Sequence, residues 1–157
     1  MSLDRRIVVA CVAATRLEIA RALFIWPFVV LLSLAPAPRF AARNGPRGVD
    51  DHERRLYFGL LLAMILTSIG VRKFGDARSR SWESPAAVRR FRTARRASAV
   101  IGLAAAFLGL AVHWRNEPGG EFLLPFWGAS FALLILAIPS YKRLKVDPSD
   151  WKSGDAS

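Results

Sequence analysis

Four stretches of this chain carry no Asp, Glu, Lys or Arg, and charges fence each of them. They are Ala22–Pro38, Leu56–Val71, Ala97–Trp114 and Phe122–Tyr141, of 17, 16, 18 and 20 residues. At the rise of an α-helix they reach about 24–30 Å, close to the hydrocarbon thickness of a bilayer. A helix on the surface of a soluble protein must show water a polar face every turn or two. Here the charge is pushed to the ends of each run instead. The pattern predicts an all-α integral membrane protein, a small bundle of four transmembrane helices at 22–38, 56–71, 97–114 and 122–141. At 157 residues the chain is expected to form a single membrane domain over 1–157.

The formal charge of +11 would point a soluble domain toward nucleic acid. In a polytopic protein the same excess reads as the positive-inside bias of short loops. Of the 23 Lys and Arg, 17 fall on the N-terminal segment, the second loop and the tail, which four spans place on one side. Only six fall on the other. Both termini are therefore expected in the cytoplasm of a bacterial inner membrane. Arginine outnumbers lysine 19 to 4, as in GC-rich bacterial genomes.

The N-terminal segment imitates a lipoprotein signal at Val8-Val9-Ala10-Cys11. The apolar stretch before Cys11 is four residues, against about 7–15 in a signal h-region. Leu3–Ala20 is read instead as an interfacial helix leading into the first span. Cys11 is the one cysteine, which excludes an intramolecular disulfide and thiol-pair redox chemistry.

Small residues recur four apart in span two (Gly59, Ala63, Thr67) and in span three (Ser98, Gly102, Ala106, with Gly109 beside them). Span four offers Gly128 and Ala132. Residues at i and i+4 share a helical face, and small ones let backbones approach closely in lipid. Spans two, three and four are thus expected to form the tight core, with span one more exposed to lipid. Pro27 lies within span one and removes one backbone bond there. The loop after span three centres on Pro118-Gly119-Gly120 and makes spans three and four antiparallel neighbours.

The second loop holds the most distinctive polar feature. Ser84 as cap and Pro85 at the first helical position predict a helix start. From there the chain runs without a breaker into span three, giving it a cytoplasmic extension that carries Arg89, Arg90, Arg92, Arg95 and Arg96. Arg72–Arg96 has a net charge of +7. Such a cluster is expected to anchor topology and to bind anionic lipid headgroups or an acidic partner surface. Nucleic acid is not the expected partner, because no aromatic platform accompanies the arginines.

Ionisable groups at membrane depth mark ion and proton pathways. The four runs hold none except His113, one residue from the end of span three, and Glu18 before span one reads as a surface pair with Arg21. Thr67, Ser68 and Ser130 are the mid-run hydroxyls and are expected to bond neighbouring helices. Before span two, Asp50 and Glu53 have the spacing of a capping box. There is no glycine-rich phosphate loop, no paired-carboxylate motif and no zinc-protease helix, so no cofactor and no enzymatic activity are expected. The expected function is that of an accessory, assembly or scaffold subunit, binding another membrane protein or copies of itself. A small oligomeric channel or transporter is the first alternative. The second is a redox or metal protein using His52 and His113, which four spans place at the same outer face, with Asp51 or Glu117 as further ligands.

Overall fold

The computed structural model describes residues 5–33, 35, 50–78, 84–115 and 120–141. Among them the chain is all-helical, with four helices and no strand: α1 Arg5–Leu32, α2 Asp51–Arg78, α3 Pro85–Arg115 and α4 Gly120–Ala137. Two of these, α2 and α3, are long and apolar enough to cross a membrane. The apolar stretch Leu123–Ala137 of α4 is shorter, and charges interrupt the first half of α1.

α3 is the central helix, packed on α4 and α2 most extensively and then on α1. Its buried face reads Phe91, Ala94, Arg95, Ser98, Gly102, Ala105, Ala106 and Gly109, steps of three and four that follow one side of the helix. α4 runs antiparallel to it, Leu134 facing Gly102 and Phe126 facing Gly109. α2 also runs antiparallel, with Ser68 beside Ser98 and Asp76 beside Arg95. α1 runs parallel to α3. Its Glu18 meets Arg92 and Arg96, and its Val29 packs with Ala106 and Leu110. The helix pairs expected from the short third loop and from the small-residue face of span three are thus in place.

Several helix boundaries differ from the sequence-based expectation, among them the far end of α2, which runs on past Val71 to Arg78. The interfacial lead-in and the first span are one continuous helix, because no Gly or Pro interrupts the chain between Arg5 and Trp26. Its first half is docked rather than lying free at an interface: Val8, Val9, Val12, Thr15 and Ile19 are all buried. Its second half turns Phe24, Ile25, Phe28 and Leu31 outward. At its far end α1 stops at Leu32, ahead of Pro36 and Pro38, and Ser33 closes onto the Val30 carbonyl at 2.6 Å. α4 ends at Ala137 rather than Tyr141. Pro139 cannot continue the hydrogen-bond ladder, and arginines from α2 and α3 take the last carbonyls of α4.

The surface between the two ends of the bundle is extensively apolar. Large apolar side chains face outward on every helix, among them Phe24, Phe28, Leu62, Leu66, Val100, Phe107 and Leu124. The interior combines large apolar side chains, Phe91, Phe126, Ile19 and Leu134 among them, with small and hydroxyl-bearing residues at the helix contacts: Ala105, Ala106, Gly102, Gly109, Ser68, Ser98 and Ser130. Only 11% of the most apolar stretch of α2 is buried within the chain, against 44% in α3.

Candidate functional site at the arginine-rich end

The end of the bundle formed by the first half of α1, the end of α2, the start of α3 and the end of α4 carries the arginines. Ser84 opens α3 as expected: its Oγ accepts the Ala87 N–H at 3.3 Å and its carbonyl accepts it at 3.0 Å. From that cap the helix presents its five arginines in two groups with different fates.

Arg92, Arg95 and Arg96 are committed inside the chain. Arg95 is 5% exposed. Its guanidinium donates to both carboxylate oxygens of Asp76 at 2.7 Å, and to the carbonyls of Leu136 and Ala137 at 3.2 and 3.1 Å. It also lies over the Phe91 ring, 5.4 Å from the centroid. One side chain thereby ties α2, α3 and α4 together. Arg72 adds a second donor to the Leu136 carbonyl at 2.7 Å. Two cations at the C-terminus of α4 complement the negative end of its dipole and satisfy carbonyls that the helix leaves open.

Arg96 holds Glu18 through two hydrogen bonds of 2.7 Å, and Arg92 reaches the same carboxylate. The expected local pair between Glu18 and Arg21 is replaced by this clamp between α1 and α3. The hydrogen bonds from Arg96, then those from Arg92, hold the Glu18 carboxyl down at about 2. Arg16 lies over the Tyr141 ring at 4.9 Å.

Arg89 and Arg90 are exposed and make no ion pair among the described residues. They stand at one end of a cleft of about 650 Å³ between α2 and α3, whose walls are otherwise largely apolar. At its floor the helices nearly touch: a Cβ on Gly75 would lie 2.4 Å from the Cβ of Ala94.

The small residues divide in the same way. Ser98, Gly102, Ala106 and Gly109 are buried at helix contacts. Ser98 shares a 2.7 Å hydroxyl–hydroxyl hydrogen bond with Ser68. A Cβ on Gly102 would come within 3.3 Å of Leu134, and one on Gly109 within 2.5 Å of the Phe126 Cβ. Gly59, Ala63 and Thr67 of α2, and Gly128 and Ala132 of α4, are exposed, with nothing within 4 Å of a Cβ added at Gly59 or Gly128. Among the described residues these faces lie outside the packing: α2 meets α3 through Leu61, Ser68 and Gly75, and α4 meets it through Phe126, Leu133 and Leu134. Ser130 is buried without a hydrogen-bond partner among the described residues.

At the opposite end, Glu53 pairs with Arg115 at 3.5 Å. The start of α2 therefore adjoins the end of α3, and His52 and His113 lie at the same end of the bundle. His52 is exposed; His113 is half-buried, and its Nδ1 has no hydrogen-bond partner among the described residues. No group of three His, Cys, Asp or Glu able to hold a metal is found among the described residues. Glu117 lies outside them. At the helix start, the Asp50 carbonyl accepts the Arg54 N–H at 2.9 Å, while Glu53 is turned to Arg115 rather than back toward a capping box.

Sequence reasoning missed Asp76, Arg72, Gly70 and Gly75. Asp76 had a signal, since it is one of two acids in the basic segment Arg72–Arg96 and had to be held by something nearby. The partner could not be read from spacing, because it depends on where α4 ends. In comparisons with known proteins, the chain matches no family model, no curated protein and no solved structure.

Proposed function

We propose that this chain is a non-enzymatic integral membrane protein, crossing the bilayer four times with the arginine-rich end in the cytoplasm, and that it acts as an accessory, assembly or scaffold subunit. The extent of the outward-facing apolar surface supports the membrane reading most strongly. An apolar surface this extensive would drive aggregation in water, whereas in lipid it is the solvated face. Long apolar helices also occur in soluble cores, but those are mostly buried, and α2 is not.

The subunit reading rests on what is left uncovered. Gly59, Ala63 and Thr67 form a small-residue row on the exposed side of α2, and Gly128 with Ala132 a second on α4. Rows of this kind let a second helix approach closely in lipid, where packing rather than hydrophobicity drives association. A partner membrane protein, or another copy of this chain, would find there a backbone without bulky cover. The exposed Arg89 and Arg90 add attraction to anionic lipid at the arginine-rich end of the bundle.

Mass measurement of the complex extracted in mild detergent tests this. A mass above that of one chain, reduced toward a monomer by Gly59→Leu, is expected. A wild-type monomer would refute the subunit role, and a closed ring of identical chains conducting ions in vesicles would replace it with an oligomeric channel.

A further inference from the structure

We infer that the cleft between α2 and α3 is a binding site for one anionic phospholipid, with an acyl chain between the helices and the headgroup on Arg89 and Arg90. The inference deepens the proposed function and rests on its membrane reading. The cleft lies where the charge-free runs give way to the arginine segment. Gly70, Val71 and Phe74 line it from α2, and Thr93, Ala94 and Ala97 from α3. Its volume, about 650 Å³, falls in the range of about 300–1,000 Å³ typical of small-molecule sites. That space suits a hydrocarbon chain and is far more than an inorganic anion would fill.

Polarity changes along the cleft in the way an amphiphile requires. From Ala97 to Arg89 is about 12 Å along α3, and over that distance the lining passes from apolar to cationic. Among the described residues Arg89 and Arg90 have no carboxylate partner, whereas Arg92, Arg95 and Arg96 are held by Glu18, Asp76 and the end of α4. Basic pockets between membrane helices on the cytoplasmic side recognise anionic headgroups through the same charge complementarity. An acidic peptide would find the two arginines but would have no use for the greasy floor.

The test is native mass spectrometry of the purified full-length protein in mild detergent, with phosphatidylglycerol and chain-matched phosphatidylcholine. The wild type should retain one phosphatidylglycerol and little phosphatidylcholine. R89Q/R90Q should weaken retention by about thirtyfold, the loss expected for two interfacial basic residues. Gly70→Leu places a side chain into the cleft from a position with nothing within 4 Å of its Cβ, so it should block the site without disturbing the fold. Leu124→Phe, on the outside of α4, should behave as wild type. Equal retention of the two lipids would overturn the inference, as would wild-type retention in Gly70→Leu. If R89Q/R90Q lost its preference for anionic vesicles while Gly70→Leu still retained lipid, the cleft would be excluded and the basic surface of the proposed function would stand.

Discussion

Arg95 and Glu18 show how much of this bundle depends on single charged side chains. Arg95 is buried and joins one carboxylate to two carbonyls of another helix, so its removal takes the donor from Asp76 and from the Ala137 carbonyl, while Arg72 still reaches the Leu136 carbonyl. Losing hydrogen bonds to a charged group costs about 1.5–3 kcal/mol, and Asp76, 37% exposed, is partly taken up by solvent once its donor is gone. Arg95→Ala should therefore lower the unfolding midpoint in detergent steeply, while Arg89→Ala at the exposed rim stays within about 0.5 kcal/mol of wild type. Glu18 supplies a pH dependence. Its folded-state value of about 2 lies below the ordinary 4.5. The carboxylate form is thus favoured by folding, and its contribution is complete above about 4.5 and lost as the pH falls toward about 2. Thermal melts at decreasing pH should show the wild type losing stability across that window, and Glu18→Gln, weaker by about 1 kcal/mol at neutral pH, should lose less. Parallel curves for the two proteins would mean that the clamp contributes nothing.

At the scale of the helix, glycines that look alike in sequence are in different situations. Gly109 and Gly75 sit where a Cβ would lie 2.5 Å from Phe126 and 2.4 Å from Ala94, and both obstacles are Cβ atoms fixed to their own backbones. Gly109→Ala and Gly75→Ala should each destabilise by about 1–3 kcal/mol, the usual range for overpacking. Gly102→Ala, at 3.3 Å from the branched end of Leu134, should be milder, because that side chain can shift by a few tenths of an ångström. Gly70→Ala, with open space at its Cβ, should be neutral or stabilising by up to about 1 kcal/mol, as alanine is the better helix former. Differential scanning of the four variants gives the order directly. The charge-free runs made the helices legible, and the four-residue spacing in span three made its packing face legible. The same spacing in span two did not mark a contact within the chain, because spacing gives a face but not what covers it. The junction between Ala20 and Ala22 shows a related ambiguity: charge marks where a helix meets a polar environment, and only Gly, Pro or a cap marks where it ends. The fates of the five arginines were not legible either. Arg89 and Arg92 differ by less than one turn, and only the positions of Glu18 and of the α4 terminus separate them.

For the whole molecule, the two ends of the bundle are chemically distinct. One gathers Arg16, Arg72, Arg89, Arg90, Arg92, Arg95 and Arg96; the other pairs Glu53 with Arg115. Between them lies an outward apolar surface. Immersion of the bundle in a bilayer with its arginine end in the cytoplasm, as proposed, would explain all three features together. Topology mapping with reporter fusions tests this most directly. Fusions at Ser79 and Ser157 should report the cytoplasmic side, and fusions at Arg47 and Asn116 the outer side. A C-terminal fusion reporting from outside, or all four reporting from one side, would contradict the account.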